Sequence, residues 1–181
     1  MVVEKTELKG VSIINNFNVT DNRGLYEKTF NKNTFLNNNI VFDIRESYYS
    51  VSKKNVIRGM HFQLPPHDHE KLVFVPSGEI MDVVVDLRKQ SPTYKKHFSI
   101  KLSAKNKKAL FIPKGFAHGF KSLSNNTITV YNVATEYNKD SDTGIKYDSL
   151  GFDWGQQDFI LSKRDNNFCN LEEFCINNPF N

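Results

Sequence analysis

The feature that most constrains this chain is a series of short runs of β-forming residues, broken by turn residues at fairly even intervals. The runs are Val11–Ile14, Leu25–Phe30, Val41–Ser50, Val56–Phe62, Lys71–Val75, Ile80–Leu87, His97–Leu102, Ala109–Ile112, His118–Ser122 and Thr127–Thr135. Turn signals such as Asp21-Asn22-Arg23-Gly24, Pro76-Ser77-Gly78, Ser91-Pro92-Thr93, Pro113-Lys114-Gly115 and Ser124-Asn125-Asn126 separate them. That spacing is the signature of a sandwich or barrel. Helical periodicity is scarce; a short helix is expected after Asn33 and another over Leu171–Ile176. No linker and no internal repeat interrupts the pattern, so residues 1–181 are expected to form one all-β domain. A jelly roll is one of the few ways to close so many strands.

Size and composition support that reading. A chain of 181 residues, 39% apolar and with 15 phenylalanines, can bury a substantial core. The net charge of +4 is mild, and its basic residues fall in short clusters such as Lys53-Lys54, Lys95-Lys96 and Lys105 to Lys108. A nucleic-acid stripe would be denser, so solvated turns are expected, with no nucleic-acid partner. The sign still suits a small anionic ligand. No window approaches the roughly 20 apolar residues of a membrane span, and the start, MVVEKTELKG, lacks the layout of a signal peptide. Cys169 and Cys175 lack CxxC spacing, which argues against a disulfide framework and fits a reducing cytoplasm.

Strand alternation then places polar groups on faces that otherwise look buried. Lys71 shares a side with Val73 and Val75, and Asp82 and Asp86 share one with Val84. Charges on an apolar inner face are expected where a barrel interior holds a polar ligand.

The densest chemistry lies in RGMHFQLPPHDHEKLVFV, residues 58–75. His67 and His69, together with His118 of the Pro-x-Gly-x-x-His stretch 113–118, could ligate a first-row metal ion. The carboxylate that usually completes such a set three or four residues after the histidine pair is replaced by Val73 and Phe74. The other reading is acid/base work. Histidine is the usual proton acceptor near neutral pH, which makes His61 a candidate base. Lys71 and Arg58 could stabilise an oxyanion or hold phosphate, and Tyr131 could supply a proton from another wall. By alternation, His61 faces away from Arg58 unless Gly59 and the local turn rearrange them.

Longer motifs resemble a known family. Arg58-Gly-Met-His61-Phe-Gln63, Lys71-Leu-Val, Gly78-Glu-Ile-Met-Asp82-Val-Val-Val-Asp86-Leu-Arg88, Ser91-Pro-Thr and Ile112-Pro-Lys-Gly-Phe-Ala-His118-Gly-Phe appear in that order, followed by Tyr131, Gly144-Ile145 and Ile160-Leu-Ser-Lys-Arg164-Asp165. This arrangement, with an early anchor at Asp21-Asn-Arg23-Gly24, resembles the dTDP-4-dehydrorhamnose 3,5-epimerase family across nearly the whole chain. The resemblance implies a cupin jelly roll with short peripheral helices, a homodimer, and catalysis without metal or other cofactor on a nucleotide-linked 4-keto-6-deoxy sugar. It implies His61 as base, Tyr131 as acid, Asp165 as the group that orients His61, and Lys71 beside the C4 oxygen. Arg23 and Arg58 match positions that contact substrate, and His118 matches a further pocket histidine. Gln63, Tyr48 and Arg164 complete the implied substrate-binding set.

The departures bear on the substrate. The Gln-Asp-Asn-x-Ser stretch common in the family reads Glu46-Ser47-Tyr48-Tyr49-Ser50 here, a usual glutamate is Lys28, and a usual glutamine is His69. An ungapped count from Tyr131 puts Glu136 where the family has a tyrosine that stacks on thymine. A carboxylate cannot stack, but it can accept paired bonds from guanine. The expectation is therefore an epimerase acting at C3 and C5, or at C3 alone, with a GDP-linked or heptose substrate in view. A metal-dependent cupin enzyme using His67, His69 and His118, or a non-catalytic sugar-nucleotide-binding module, is the alternative.

Overall fold

The computed structural model describes residues 1–155 and 158–181. The strands are β1 (Val2–Lys5), β2 (Ser12–Asn15), β3 (Phe17–Asp21), β4 (Gly24–Lys28), β5 (Glu46–Ser52), β6 (Ile57–Gln63) and β7 (Lys71–Ser77). They continue as β8 (Glu79–Asp86), β9 (His97–Ser103), β10 (Lys108–Ile112), β11 (Phe116–Ser122), β12 (Thr127–Val133) and β13 (Asp142–Gly144). A six-stranded sheet in the order β1-β2-β10-β7-β12-β5 faces a five-stranded sheet in the order β13-β6-β11-β8-β9, while β3 and β4 form a separate hairpin. The pairing within each sheet is antiparallel. This is the cupin-like jelly roll that the strand spacing and the resemblance implied.

Alternation builds the core. Val73, Val75, Leu110, Ile112 and Val133 of the first sheet interleave with Ile80, Val84, Leu102, Phe116 and Phe120 of the second. The outer face of the second sheet, with Ile57, Met60, Val83 and Val85, is covered by the C-terminal residues Leu150, Trp154, Leu171 and Phe180. The outer face of the first sheet, with Ile14, Leu72 and Phe111, is covered by Phe35, Ile40 and Phe42. Both sheets are therefore buried on two faces over much of their area, which explains runs such as Val83-Val84-Val85.

The helices are short and capped. Asn31 caps α1 (Lys32–Asn37) by accepting from the Thr34 N–H, and Asn170 with Glu173 forms a capping box on α3 (Leu171–Ile176). Ser162 caps α2 (Lys163–Asn166), a turn that hydrophobic periodicity does not reveal. Strands β1, β3 and β13 lie outside the expected runs, and a further departure is at Val41–Ser50. Regular pairing begins only at Glu46, because residues 40–45 lead Ile40 and Phe42 onto the Phe35 and Phe111 rings instead. Among the described residues no helix is long and apolar enough to cross a membrane.

Candidate active site

At one end of the barrel the space between the sheets stays open. Two connected lobes of about 330 Å³ and 200 Å³ share Tyr48, His61 and Lys71 as walls. Arg58, His118 and Tyr131 line the smaller, inner lobe. Gln63, His69, Tyr137, Asp142, Arg164 and Glu46 line the larger, outer one.

His61 and Arg58 both reach the inner lobe, and the cause is local. In the β6–β11 pairing His118 faces His61 and Phe120 faces Arg58, so three steps on β6 oppose two on β11. This one-residue bulge cancels the alternation that would have sent the two side chains to opposite faces. Only glycine fits there. Gly59 has φ +143°, and a Cβ on it would lie 2.5 Å from the Gly119 Cα.

His61 is partly exposed to the cavity and bonds through Nε2 to Asp165 Oδ1 at 3.0 Å. Asp165, at the start of α2, accepts the Gly59 N–H with its other carboxylate oxygen. Burial alone would raise the Asp165 carboxyl, but bonds from His61, Ser162 and Gly59 outweigh it and hold the group below the usual carboxylate range. An ionised carboxylate on Nε2 keeps the proton there, so Nδ1 is left with its lone pair free to act as base. The Phe168 ring packs edge-on against the imidazole, with centroids 5.8 Å apart.

Tyr131 stands across the lobe, on β12 of the opposite sheet. Burial pushes its hydroxyl well above the usual phenol value, so it holds its proton at any physiological pH. It stacks on Tyr48 at 5.0 Å and lies 3.5 Å from the Ser50 hydroxyl. Lys71 is almost wholly buried between these walls, and Nζ donates to the His61 carbonyl at 3.2 Å. Burial pulls its amine down to about 8, with the charges of Asp142 and Asp82 opposing the fall. One wall thus offers a base, the other an acid, and a cation lies between them.

The remaining residues divide by place. Arg58 donates to the Ser52 hydroxyl and the Val51 carbonyl at the inner lobe. His118 bonds Asp82 at 2.9 Å. In the outer lobe, Gln63 donates to the His67 carbonyl and accepts the Asn138 N–H. His69 bonds Thr135 Oγ1 at 2.6 Å; burial, with the Lys71 and Lys114 charges, pulls the ring down to about 3 and keeps it neutral. Arg164 pairs with Asp142 at 2.8 Å and covers the Phe168 ring.

Three of the expected binding residues do not line either lobe. Glu136 turns its backbone carbonyl to Gln63, and the next residue, Tyr137, forms the cavity wall, with its N–H bonded to Glu46. The ungapped count therefore falls one residue short of the aromatic ring. Arg23 and Lys28 lie on the β3–β4 hairpin, where Arg23 pairs with Asp21 at 2.6 Å and Lys28 covers Phe17. Sequence reasoning passed over Tyr137, Asp142 and Ser50, whose places follow from strand pairing across the barrel rather than from any local motif.

The metal alternative needs His67, His69 and His118 to converge. His69 lines the outer lobe and His118 the inner one, each bonded to another side chain, while His67 lines neither. Among the described residues no group of three or more histidine, cysteine, aspartate or glutamate side chains is placed to hold a metal ion.

Comparison with known proteins agrees with this geometry. The family model described as dTDP-4-dehydrorhamnose 3,5-epimerase matches residues 5–173. A protein of that name from Methanothermobacter thermautotrophicus is 41% identical over 174 residues, covering 93% of this chain and 94% of its own. The Escherichia coli K12 protein of that name is 37% identical over 179 residues and covers 96% of both chains. The crystal structure of the Bacillus anthracis enzyme with TDP and pyrophosphate bound superposes with a TM-score of 0.91 at 35% identity, covering 94% of this chain and 99% of that one. A Legionella pneumophila epimerase in complex with dTDP-4-keto-L-rhamnose gives 0.90 at 32% identity, covering 94% of this chain and 93% of that one. A chain with this barrel, this cavity and these relatives belongs to the dTDP-4-dehydrorhamnose 3,5-epimerase family and is a sugar-nucleotide epimerase.

Proposed function

We propose that the protein epimerises a dTDP-linked 4-keto-6-deoxyhexose at C3 and C5, without metal or cofactor. The observation that carries the reading is the His61–Asp165 pair on one wall of the inner lobe facing Tyr131 on the other, with Lys71 between them. The C4 ketone acidifies the hydrogens on C3 and C5. His61 Nδ1 removes one of them, and the imidazolium that forms is stabilised by Asp165. The electron pair moves onto the C4 oxygen, where the Lys71 ammonium stabilises the enolate. Tyr131 then protonates the same carbon from the opposite face. The phenolate regains a proton from His61 or water, which returns the site to its starting state.

The nucleotide assignment rests on the outer lobe. Tyr137 supplies an aromatic face there, whereas Glu136 lies outside it, which favours a stacked thymine over the guanine that Glu136 alone would suggest. The Bacillus anthracis relative, described with TDP bound, supports the same choice. Arg58 at the inner lobe suits the diphosphate. Arg23 suits it too, provided that a second copy of the chain brings the hairpin to the cavity. The exposed Phe17, Val19, Leu25 and Tyr26 on that hairpin favour such a homodimer.

The test is incubation in deuterated water with dTDP- and GDP-linked 4-keto-6-deoxyhexoses, followed by NMR. Deuterium should enter C3 and C5 of the dTDP sugar. Absence of exchange with either nucleotide refutes the reaction, exchange at C3 alone refutes the double epimerisation, and equal turnover of the two nucleotides refutes the dTDP assignment. Sedimentation should give a dimer, and a monomer with full activity would sink the role of Arg23.

A further inference from the structure

Tyr131 is the acid at both carbons, yet it carries one proton. Between the inversion of one centre and that of the other, its phenolate must be reloaded while the sugar still fills the inner lobe. Only 8% of the Tyr131 surface is exposed, so bulk water is poorly placed to do this. The Ser50 hydroxyl, 3.5 Å away, is the one hydrogen-bond partner of the Tyr131 oxygen among the described residues. Ser50 also lines the inner lobe. Tyr48, the neighbouring phenol, stacks its ring on Tyr131 instead. Arg58 is committed to Ser52 and the Val51 carbonyl.

A second observation lies behind Ser50. Thr129 stands directly opposite it in the β5–β12 ladder, while Tyr131 stands opposite Tyr48. Two residues apart on one strand, Thr129 and Tyr131 share the inner face. Thr129 is 0% exposed, and its hydroxyl has no partner among the described residues. The next hydroxyls along the same rows are satisfied: Thr127 donates to the Ser124 carbonyl, and Ser52 accepts from Arg58. A sealed hydroxyl without a bond is costly to the fold. Opposed residues of an antiparallel pair have Cβ atoms about 5 Å apart, so rotation about χ1 brings the Thr129 hydroxyl within reach of Ser50. Donation from Thr129 leaves the Ser50 proton aimed at Tyr131. We propose that Ser50 reloads Tyr131 between the two inversions, with Thr129 as the positioning residue that orients its hydroxyl. Once Tyr131 has protonated carbon, its phenolate draws the loose Ser50 contact shorter, because hydrogen bonds to an anion are short and strong. The Ser50 O–H bond breaks as the Tyr131 O–H bond forms. In the same step the Ser50 oxygen takes a proton from a water molecule in the lobe, and that water is restored by the proton His61 removed from carbon. One proton thus passes from His61 to Tyr131, and Ser50 and the water end as they began. The inference rests on the double epimerisation proposed above.

The test is a single-turnover experiment. Protein equilibrated in deuterated water is mixed in excess with the dTDP-linked 4-keto-6-deoxyhexose and quenched at intervals, and C3 and C5 are read by NMR. The wild type should label the second centre nearly as fast as the first. Ser50→Ala should lower the ratio of second-centre to first-centre rate by about tenfold, the worth of one hydrogen bond, and should release singly inverted sugar. Ser50→Thr, which returns the hydroxyl, should restore the ratio. Thr129→Val keeps the shape without the hydroxyl, and should lower the ratio by about threefold with no loss of thermal stability. Adding it to Ser50→Ala should change nothing further. A wild-type ratio in Ser50→Ala overturns the relay, and so does an equal slowing at both centres or an additive loss in the double variant. If the wild type itself labels only one centre, the double epimerisation is refuted and the relay falls with it. If the wild type labels both and the variants match it, the relay alone falls.

Discussion

Lys71 is expected to make activity and stability respond to pH in opposite directions, and the size of each response follows from its burial. Its amine is pulled from the usual 10.5 to about 8 because almost all of its surface is removed from water. Below pH 8 the folded and unfolded chains both carry the charge there, and the fold bears the full cost of burying it. Between pH 8 and 10.5 the folded state sheds that proton while the unfolded state keeps it, so stability from this group rises with pH. At about 1.4 kcal/mol per unit, the relief amounts to about 3 kcal/mol across the window. On the proposed mechanism catalysis should move the other way, because an uncharged amine cannot stabilise the enolate. kcat/KM should fall about tenfold per unit above pH 8. Tyr48, pushed up to about 12 by burial, and Tyr131, pushed higher still, do not titrate in this range. The assay is a pH–rate profile from 6 to 10 beside urea unfolding of wild type and Lys71→Met at pH 7, 9 and 10.5. The variant should be inactive and the more stable protein at pH 7 by about 3 kcal/mol, with the gap closing by pH 10.5. Every other ionisable group is common to both proteins, so its contribution cancels in the difference. A gap that does not change with pH, or a rate that holds to pH 10, would refute the reasoning.

Two further substitutions probe the walls of the site. Asp165→Asn keeps the shape beside His61 but no longer holds the proton on Nε2, so kcat should fall by about a thousandfold with KM little changed; a pH–rate profile and KM measurement check it. Gly59→Ala forces a side chain into a φ of +143° and onto the Gly119 backbone, so it should destabilise the fold by about 2–3 kcal/mol. Thermal unfolding reads that loss, and the His61–Asp165 bond should be disturbed with it, because Gly59 N–H is an Asp165 ligand.

Much of the site was legible because its chemistry travels in local motifs. Arg58-Gly-Met-His61, Lys71 and the Leu-Ser-Lys-Arg-Asp165 turn each keep their spacing within one element, and alternation alone put Lys71 on the inner face with Val73 and Val75. What was illegible crosses elements. Alternation set His61 against Arg58, and only the bulge opposite Gly119 brings them together. Counting along the chain selected Glu136 for the outer lobe, but the end of β12 and the bond that the Tyr137 N–H donates to Glu46 turn the next side chain inward. Residues 40–45 contain β-formers, yet burial against the Phe35 and Phe111 rings outweighs their strand preference.

The sequence by itself determined the all-β architecture, because two-residue periodicity and turn chemistry are local properties that survive without knowledge of neighbours. It also determined the inventory of acid, base and cation. The tertiary structure alone decided which of these groups share a cavity, since that depends on sheet register and on close contacts between residues far apart in the chain. It paired His61 with Asp165 across 104 positions, set Tyr131 on the opposite sheet, and left one oxygen of Asp82 without a partner among the described residues. Burial then acted on what folding had assembled. Removal from water, rather than residue type, brings Lys71 within reach of neutral pH and lifts Tyr131 further above the ordinary phenol value.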